Sequence, residues 1–84
     1  MATIVISDEA QQQAARLPKS VRARLYRAVE RLAAWPHVSG AKPLRGSLAG
    51  HYRLRTGDYR IQFCVAGDSV TVTKVGHRDG FYDE

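Results

Sequence analysis

Eighty-four residues leave room for one domain (1–84) with one core, and a chain this short buries only about 60–65% of its unfolded surface. A content of 44% hydrophobic and 25% charged residues fits a folded protein, and no apolar run approaches the ~20 residues of a bilayer span. The formal net charge of +5 rests on ten arginines and three lysines against eight acids, three of which (Asp79, Asp83, Glu84) crowd the C-terminal end. The body of the chain is therefore more basic than the total, which points to a polyanionic partner, nucleic acid before an acidic protein or a membrane. The start of the chain lacks a signal-peptide pattern, and the single cysteine, Cys64, forms no internal disulfide. Both features lead us to expect a cytoplasmic protein.

Thr3–Ser7 is a β-branched run expected to form the first strand. Asp8 is expected to cap the following helix, in which Ala10, Ala14 and Leu17 recur at helical spacing up to Pro18. A second helix is predicted from Lys19 to Ala34, with Val21, Leu25, Val29 and Leu32 as its apolar stripe and Trp35-Pro36 at its close. Arg24, Arg27 and Arg31 line its flank and read as a solvated helix face. Residues 37–50 form a polar loop carrying Lys42 and Arg45, long enough to be functional.

His51 to Val65 then reads as two strands joined at Gly57-Asp58, a tight-turn signal. A two-residue turn sets Thr56 opposite Tyr59, Arg55 opposite Arg60, Leu54 opposite Ile61 and Tyr52 opposite Phe63. One face then carries Tyr52, Leu54, Ile61, Phe63 and Val65, and the other carries Arg53, Arg55, Arg60 and Gln62. Like charges directly across a hairpin destabilise it, so three arginines on one face point to an anion bound there. After a second turn at Gly67-Asp68, a strand from Ser69 to Val75 adds Val70 and Val72 to the apolar face, and Gly76-His77-Arg78 is expected to leave the sheet. The predicted architecture is an α+β fold: strand, helix hairpin, then a three-stranded antiparallel meander with the helices packed on one sheet face.

Three histidines and one cysteine show no metal-ligand spacing, and no Gly-rich phosphate cradle is present, so neither metal nor cofactor is expected. What remains is a group of cations with aromatics nearby, suited to an RNA phosphodiester attacked by its own 2′-hydroxyl. That reaction needs in-line positioning and fixed positive charge at the phosphate. Arg60 and Arg78 suit the clamping of a phosphate. His77 belongs to the residue type that exchanges protons near neutrality, and Tyr82 suits stacking on a splayed base. Arg53, Lys42 and Arg45 are read as further contacts to the RNA backbone.

The order KPLRG (42–46), YRLRTGDYRIQF (52–63), KVGHR (74–78) and a late FY (81–82) resembles the RelE/ParE superfamily of bacterial and archaeal type II toxins, and the RelE branch above all. The resemblance implies a microbial-RNase-like fold, a cognate antitoxin encoded alongside, and cleavage of messenger RNA on the ribosome by 2′-hydroxyl attack. It also implies that the toxin–antitoxin complex binds operator DNA through the antitoxin. By the same resemblance Arg60 matches the phosphate-stabilising arginine. Arg78 matches the arginine assigned to transition-state stabilisation or leaving-group protonation, and Tyr82 the C-terminal tyrosine that orients substrate. Arg53 and Arg55 stand where well-studied relatives carry lysines. An arginine keeps its proton, so Arg55 is read as an electrostatic group and His77 as the proton-transfer group.

Two other readings share the fold, which does not decide function. One is a ParE-like non-enzymatic toxin that binds DNA gyrase. The other is an inactive relative that acts only as an antitoxin-bound co-repressor.

Overall fold

The turn at Gly57-Asp58 sets the geometry of the sheet. Gly57 has φ of +59°, a left-handed conformation that glycine adopts without a Cβ clash, and it joins β3 (His51–Thr56) to β4 (Tyr59–Ala66). The register that follows is the one expected from sequence, with Thr56 opposite Tyr59, Arg55 opposite Arg60, Leu54 opposite Ile61 and Tyr52 opposite Phe63. A second positive-φ glycine, Gly67, turns β4 into β5 (Ser69–His77). In the computed structural model, which describes residues 1–79, the first strand, β1 (Thr3–Ile6), lies parallel to β5. A two-residue β2 (Lys42–Pro43) within the long loop pairs antiparallel with β3, completing a five-stranded sheet of order β1-β5-β4-β3-β2.

Two helices cover one face. Helix α1 (Asp8–Ala15) packs on β5, and α2 (Lys19–Arg31), continued by a 3-10 turn at Leu32–Ala34, crosses β3 and β4. The cap of α1 is Ser7 rather than Asp8: the Ser7 hydroxyl accepts the Ala10 N–H at 3.1 Å, which leaves Asp8 and Glu9 in the first turn near the positive end of the helix dipole. Between the layers Phe63, Leu25, Leu32, Leu54, Ile61, Val70 and Val72 are fully buried. Trp35 packs edge-on against both Tyr52 and Phe63, at centroid distances of 4.7 and 5.4 Å. Burying large apolar side chains of this kind stabilises by about 1.5–3 kcal/mol each, so this one layer of contacts carries most of the stability of the fold.

One irregularity interrupts the sheet. Phe63 pairs with Val72 and Gln62 pairs with Lys74, so Thr73 is an extra residue in β5. Its hydroxyl donates to the Gln62 carbonyl and accepts from Gln62 Nε2, both at 3.3 Å, which anchors the bulge. An extra residue inverts the alternation beyond it. Val75 turns into the core at 6% exposure, while Lys74 and Gly76 turn to the opposite face. Gly76 and His77 do not leave the sheet as the sequence suggested. They pair with Arg60 and Tyr59, and β5 runs on to His77.

Candidate nucleic-acid interface

The sheet face turned away from the helices is built by β3, β4 and β5 together. Across its middle the register aligns Lys42, Arg53, Gln62 and Lys74 in one row, one residue from each of β2 to β5. The next row toward the Gly57-Asp58 turn is Arg55, Arg60 and Gly76. Gln62, at 9% exposure, is the neutral centre between the cations. No strand position on this face carries an acid. Its strand positions are therefore basic or neutral, a charge pattern suited to a polyanion.

The turn gathers two of the expected site residues. Arg60 Nη1 donates to the Gly57 carbonyl at 3.3 Å and to the Tyr59 carbonyl at 3.2 Å. The Arg78 backbone N–H donates to the Asp58 carbonyl at 2.7 Å, continuing the strand pairing past His77. The Arg78 side chain, 59% exposed, has Nε 3.8 Å from Asp79 Oδ1 and 4.0 Å from Asp58 Oδ1. Exposed pairs at this distance contribute about 0–1 kcal/mol. They orient the guanidinium and leave most of its donors for another anion. Arg55, exposed, sits directly across from Arg60. Arg55, Arg60 and Arg78 thus occupy one end of the sheet.

The structure separates His77 from that cluster. It pairs with Tyr59, whose alternation puts both rings on the helix side, where they meet edge-on at a centroid distance of 5.2 Å. His77 Nδ1 accepts the Asp79 N–H at 3.1 Å. His77, read from the sequence as the proton-transfer group, therefore sits on the face opposite Arg60, and the Thr73 bulge is the cause. Without that extra residue, positions 71, 73, 75 and 77 would all have faced the arginines.

Lys42 pairs with Arg53 at the edge of the face, whereas Arg45 lies beside the start of β3, at the far end from the turn, where Leu44 N–H donates to the His51 carbonyl at 2.9 Å. Tyr82, with Phe81, lies outside the described residues. Among the described residues no group of three His, Cys, Asp or Glu side chains stands together to hold a metal ion, and no helix is long and apolar enough to cross a membrane.

Sequence reasoning missed Lys74. A phase slip was present in the string itself: after Val70 and Val72, position 74 is Lys and position 75 is Val, so the apolar period of two breaks there. An apolar residue arriving one position late is the mark of a bulge.

The family model for the ParE toxin of type II toxin-antitoxin systems, parDE, matches residues 4–80 of the chain. A chain of the toxin-antitoxin complex RelBE2 from Mycobacterium tuberculosis superposes with a TM-score of 0.81 at 25% identity, covering 92% of this chain and 98% of that one. A chain of the RelB-RelE antitoxin-toxin complex from Methanococcus jannaschii gives 0.77 at 24% identity, with 94% and 95% covered. The isolated E. coli RelE toxin gives 0.75 at 22%, with 92% and 84% covered, and these two lower-identity matches speak to the fold. No curated protein matches the sequence. The two helices laid on a mixed five-stranded sheet are thus the RelE-like fold, and with its family model spanning nearly the whole length the chain belongs to the ParE toxin family of type II toxin–antitoxin systems, within the RelE/ParE superfamily.

Proposed function

We propose that this toxin is an endoribonuclease that cuts messenger RNA on the ribosome by attack of a 2′-hydroxyl on its own adjacent phosphate. The observation that carries the reading is the cross-strand pair Arg55–Arg60 on a face whose strand positions carry no acid, with Arg78 tied to the same turn. Two like charges held side by side on a sheet cost stability in the free protein. A phosphate placed between them removes that cost and has its developing charge stabilised by donors already in position. The nucleophile belongs to the substrate, so the chief task of the protein is to hold the phosphodiester in line. Lys42 and Arg53 extend the cationic track along the RNA backbone.

A cognate antitoxin, encoded alongside and rich in acidic residues, is the expected partner in the cytoplasm, and covering this face is a direct way to silence it. The relatives solved as RelBE2 and RelB-RelE complexes support that expectation. The test is primer extension on transcripts after induced expression, wild type beside Arg60→Ala and Arg78→Ala. Wild type is expected to give new 5′ ends within coding regions, and each variant to lose them while still folding. Undiminished cutting in both variants would reject this site.

The ParE family match, together with the placement of His77 on the helix side, favours one other reading: a toxin that acts by binding DNA gyrase. The same induction separates the two, because double-strand DNA breaks without transcript cuts would select the gyrase reading.

A further inference from the structure

Arg24, Arg27 and Arg31 read from the sequence as one solvated flank of α2, and the structure divides them. Arg31 Nη2 donates to the Ser39 carbonyl at 2.9 Å, and Arg27 is exposed one turn before it. Arg24 goes elsewhere. Its Nη1 lies 2.9 Å from the position that a Cβ on Gly57 would take, so the guanidinium rests against the turn between β3 and β4. Leu25, Ala28, Val29 and Leu32 form the buried side of this segment. Arg24, one turn before Ala28, borders that stripe, which brings its long side chain to the end of the hairpin beneath. Gly57 has no side chain to keep it away.

That contact extends the cationic surface. Arg60 Nη1 donates to the carbonyl of the same Gly57 from the open face, with Arg55 directly across from Arg60. Arg24 meets Gly57 from the helix layer. Positive charge thus turns the corner of the sheet at Gly57 and does not stop at its edge. The acid of the turn, Asp58, is engaged with Arg78, whose Nε is 4.0 Å from Asp58 Oδ1. Among the described residues Arg24, Arg55 and Arg60 form no ion pair. Each offers a fork of donors shaped for a phosphate.

We infer that Arg24 binds the phosphate next to the scissile one, so that the RNA strand is bent over the Gly57 corner; the inference rests on the endoribonuclease reading. In stacked RNA the 2′-oxygen sits beside the phosphorus and not opposite the 5′-oxygen, so attack requires the backbone to swing into line. Arg55 and Arg60 hold one phosphate on the open face, and Arg24 holds its neighbour around the corner. The nucleotide between them is pulled out of its stack at the linkage where the swing is needed. Arg24 touches no reacting atom. Its contact is made in the bent form that reacts, so its loss slows the chemical step as well as weakening binding.

The experiment follows purified toxin on ribosomes carrying short synthetic messages with one cleavage site, in single turnover at saturating toxin. One message is ordinary RNA. Two others carry an uncharged methylphosphonate in place of the phosphate one step 5′ or one step 3′ of the cleaved linkage. Arg24 is exposed on a helix, where Gln is well tolerated. Arg24→Gln is expected to cut ordinary RNA about tenfold more slowly than wild type, the scale of one hydrogen bond to a charged group. One of the two methylphosphonates is expected to slow wild type by a similar factor and to slow Arg24→Gln no further. Arg27→Gln is expected to match wild type on every message. A wild-type rate for Arg24→Gln on ordinary RNA would overturn the inference. So would a wild type indifferent to both methylphosphonates, slowing of both proteins by the same factor at each position, or equal slowing by Arg27→Gln. A wild type that cuts no message would instead overturn the endoribonuclease reading itself, and the inference with it.

Discussion

Gly57 is where a single residue decides the most. Its φ of +59° is strained for any residue with a Cβ, and a Cβ built there would stand 2.9 Å from Arg24 Nη1 on α2. The guanidinium is the far end of a flexible side chain and can move aside, so the backbone sets the cost. Gly57→Ala is expected to lower stability by about 1–2 kcal/mol, measured by urea unfolding, and adding Arg24→Ala should recover little of it. If the double variant returned to wild-type stability, crowding rather than conformation would be the cause. This turn was also the most legible residue pair in the sequence, because Gly-Asp between alternating strands admits few geometries. From it came the pairing of Arg55 with Arg60. The cap of α1 was less legible, since Ser7 and Asp8 are both good capping types and only the 3.1 Å contact from Ala10 N–H selects Ser7.

Among the elements, β5 carries the feature that sequence patterning concealed. Alternation is a rule about side chains, whereas a bulge is a backbone event, and the slip between Val72 and Val75 is visible only to a reader who lets the period break. The consequence is large: one extra residue exchanges His77 for Lys74 on the cationic face. The same strand shows how a short neighbour is made good. The pairing of β1 with β5 ends with Ile6 beside Val72 and the Ser7 N–H on the Val72 carbonyl. Farther along, Gln13 Oε1 on α1 accepts the Val75 N–H at 2.8 Å, so a side chain replaces the missing strand. Gln13→Ala leaves that donor without its partner and is expected to cost about 1–3 kcal/mol. Faster hydrogen exchange at the Val75 amide would locate the loss, and unchanged exchange there would show that the bond contributes nothing.

At the scale of the whole molecule, the two-layer α+β arrangement was legible because helical stripes and strand alternation assigned each apolar residue to the interface between the layers. The two-residue β2 and the parallel pairing of β1 were not, since neither leaves a periodic trace. The cationic face makes a quantitative prediction. Binding of single-stranded RNA should weaken linearly in log–log terms as salt rises, with the slope shrinking by about 0.7 for each phosphate contact removed. Arg55→Gln and Arg60→Gln are each expected to reduce it by that amount, whereas Arg27→Gln, on the solvated flank of α2, should leave it alone. An equal response from all three would mean that the protein attracts RNA by net charge without a defined face.

The parallel seam between β1 and β5 joins nearly the first residues described to nearly the last. During synthesis, β1 has no strand to lie against until β5 emerges, and α1, which packs on β5, has no floor. A half-made chain is therefore an unfinished sheet in which Arg60 lacks its neighbours Lys74 and Gly76. The fold thus assembles its cationic face late, only once β5, the last strand among the described residues, has been made.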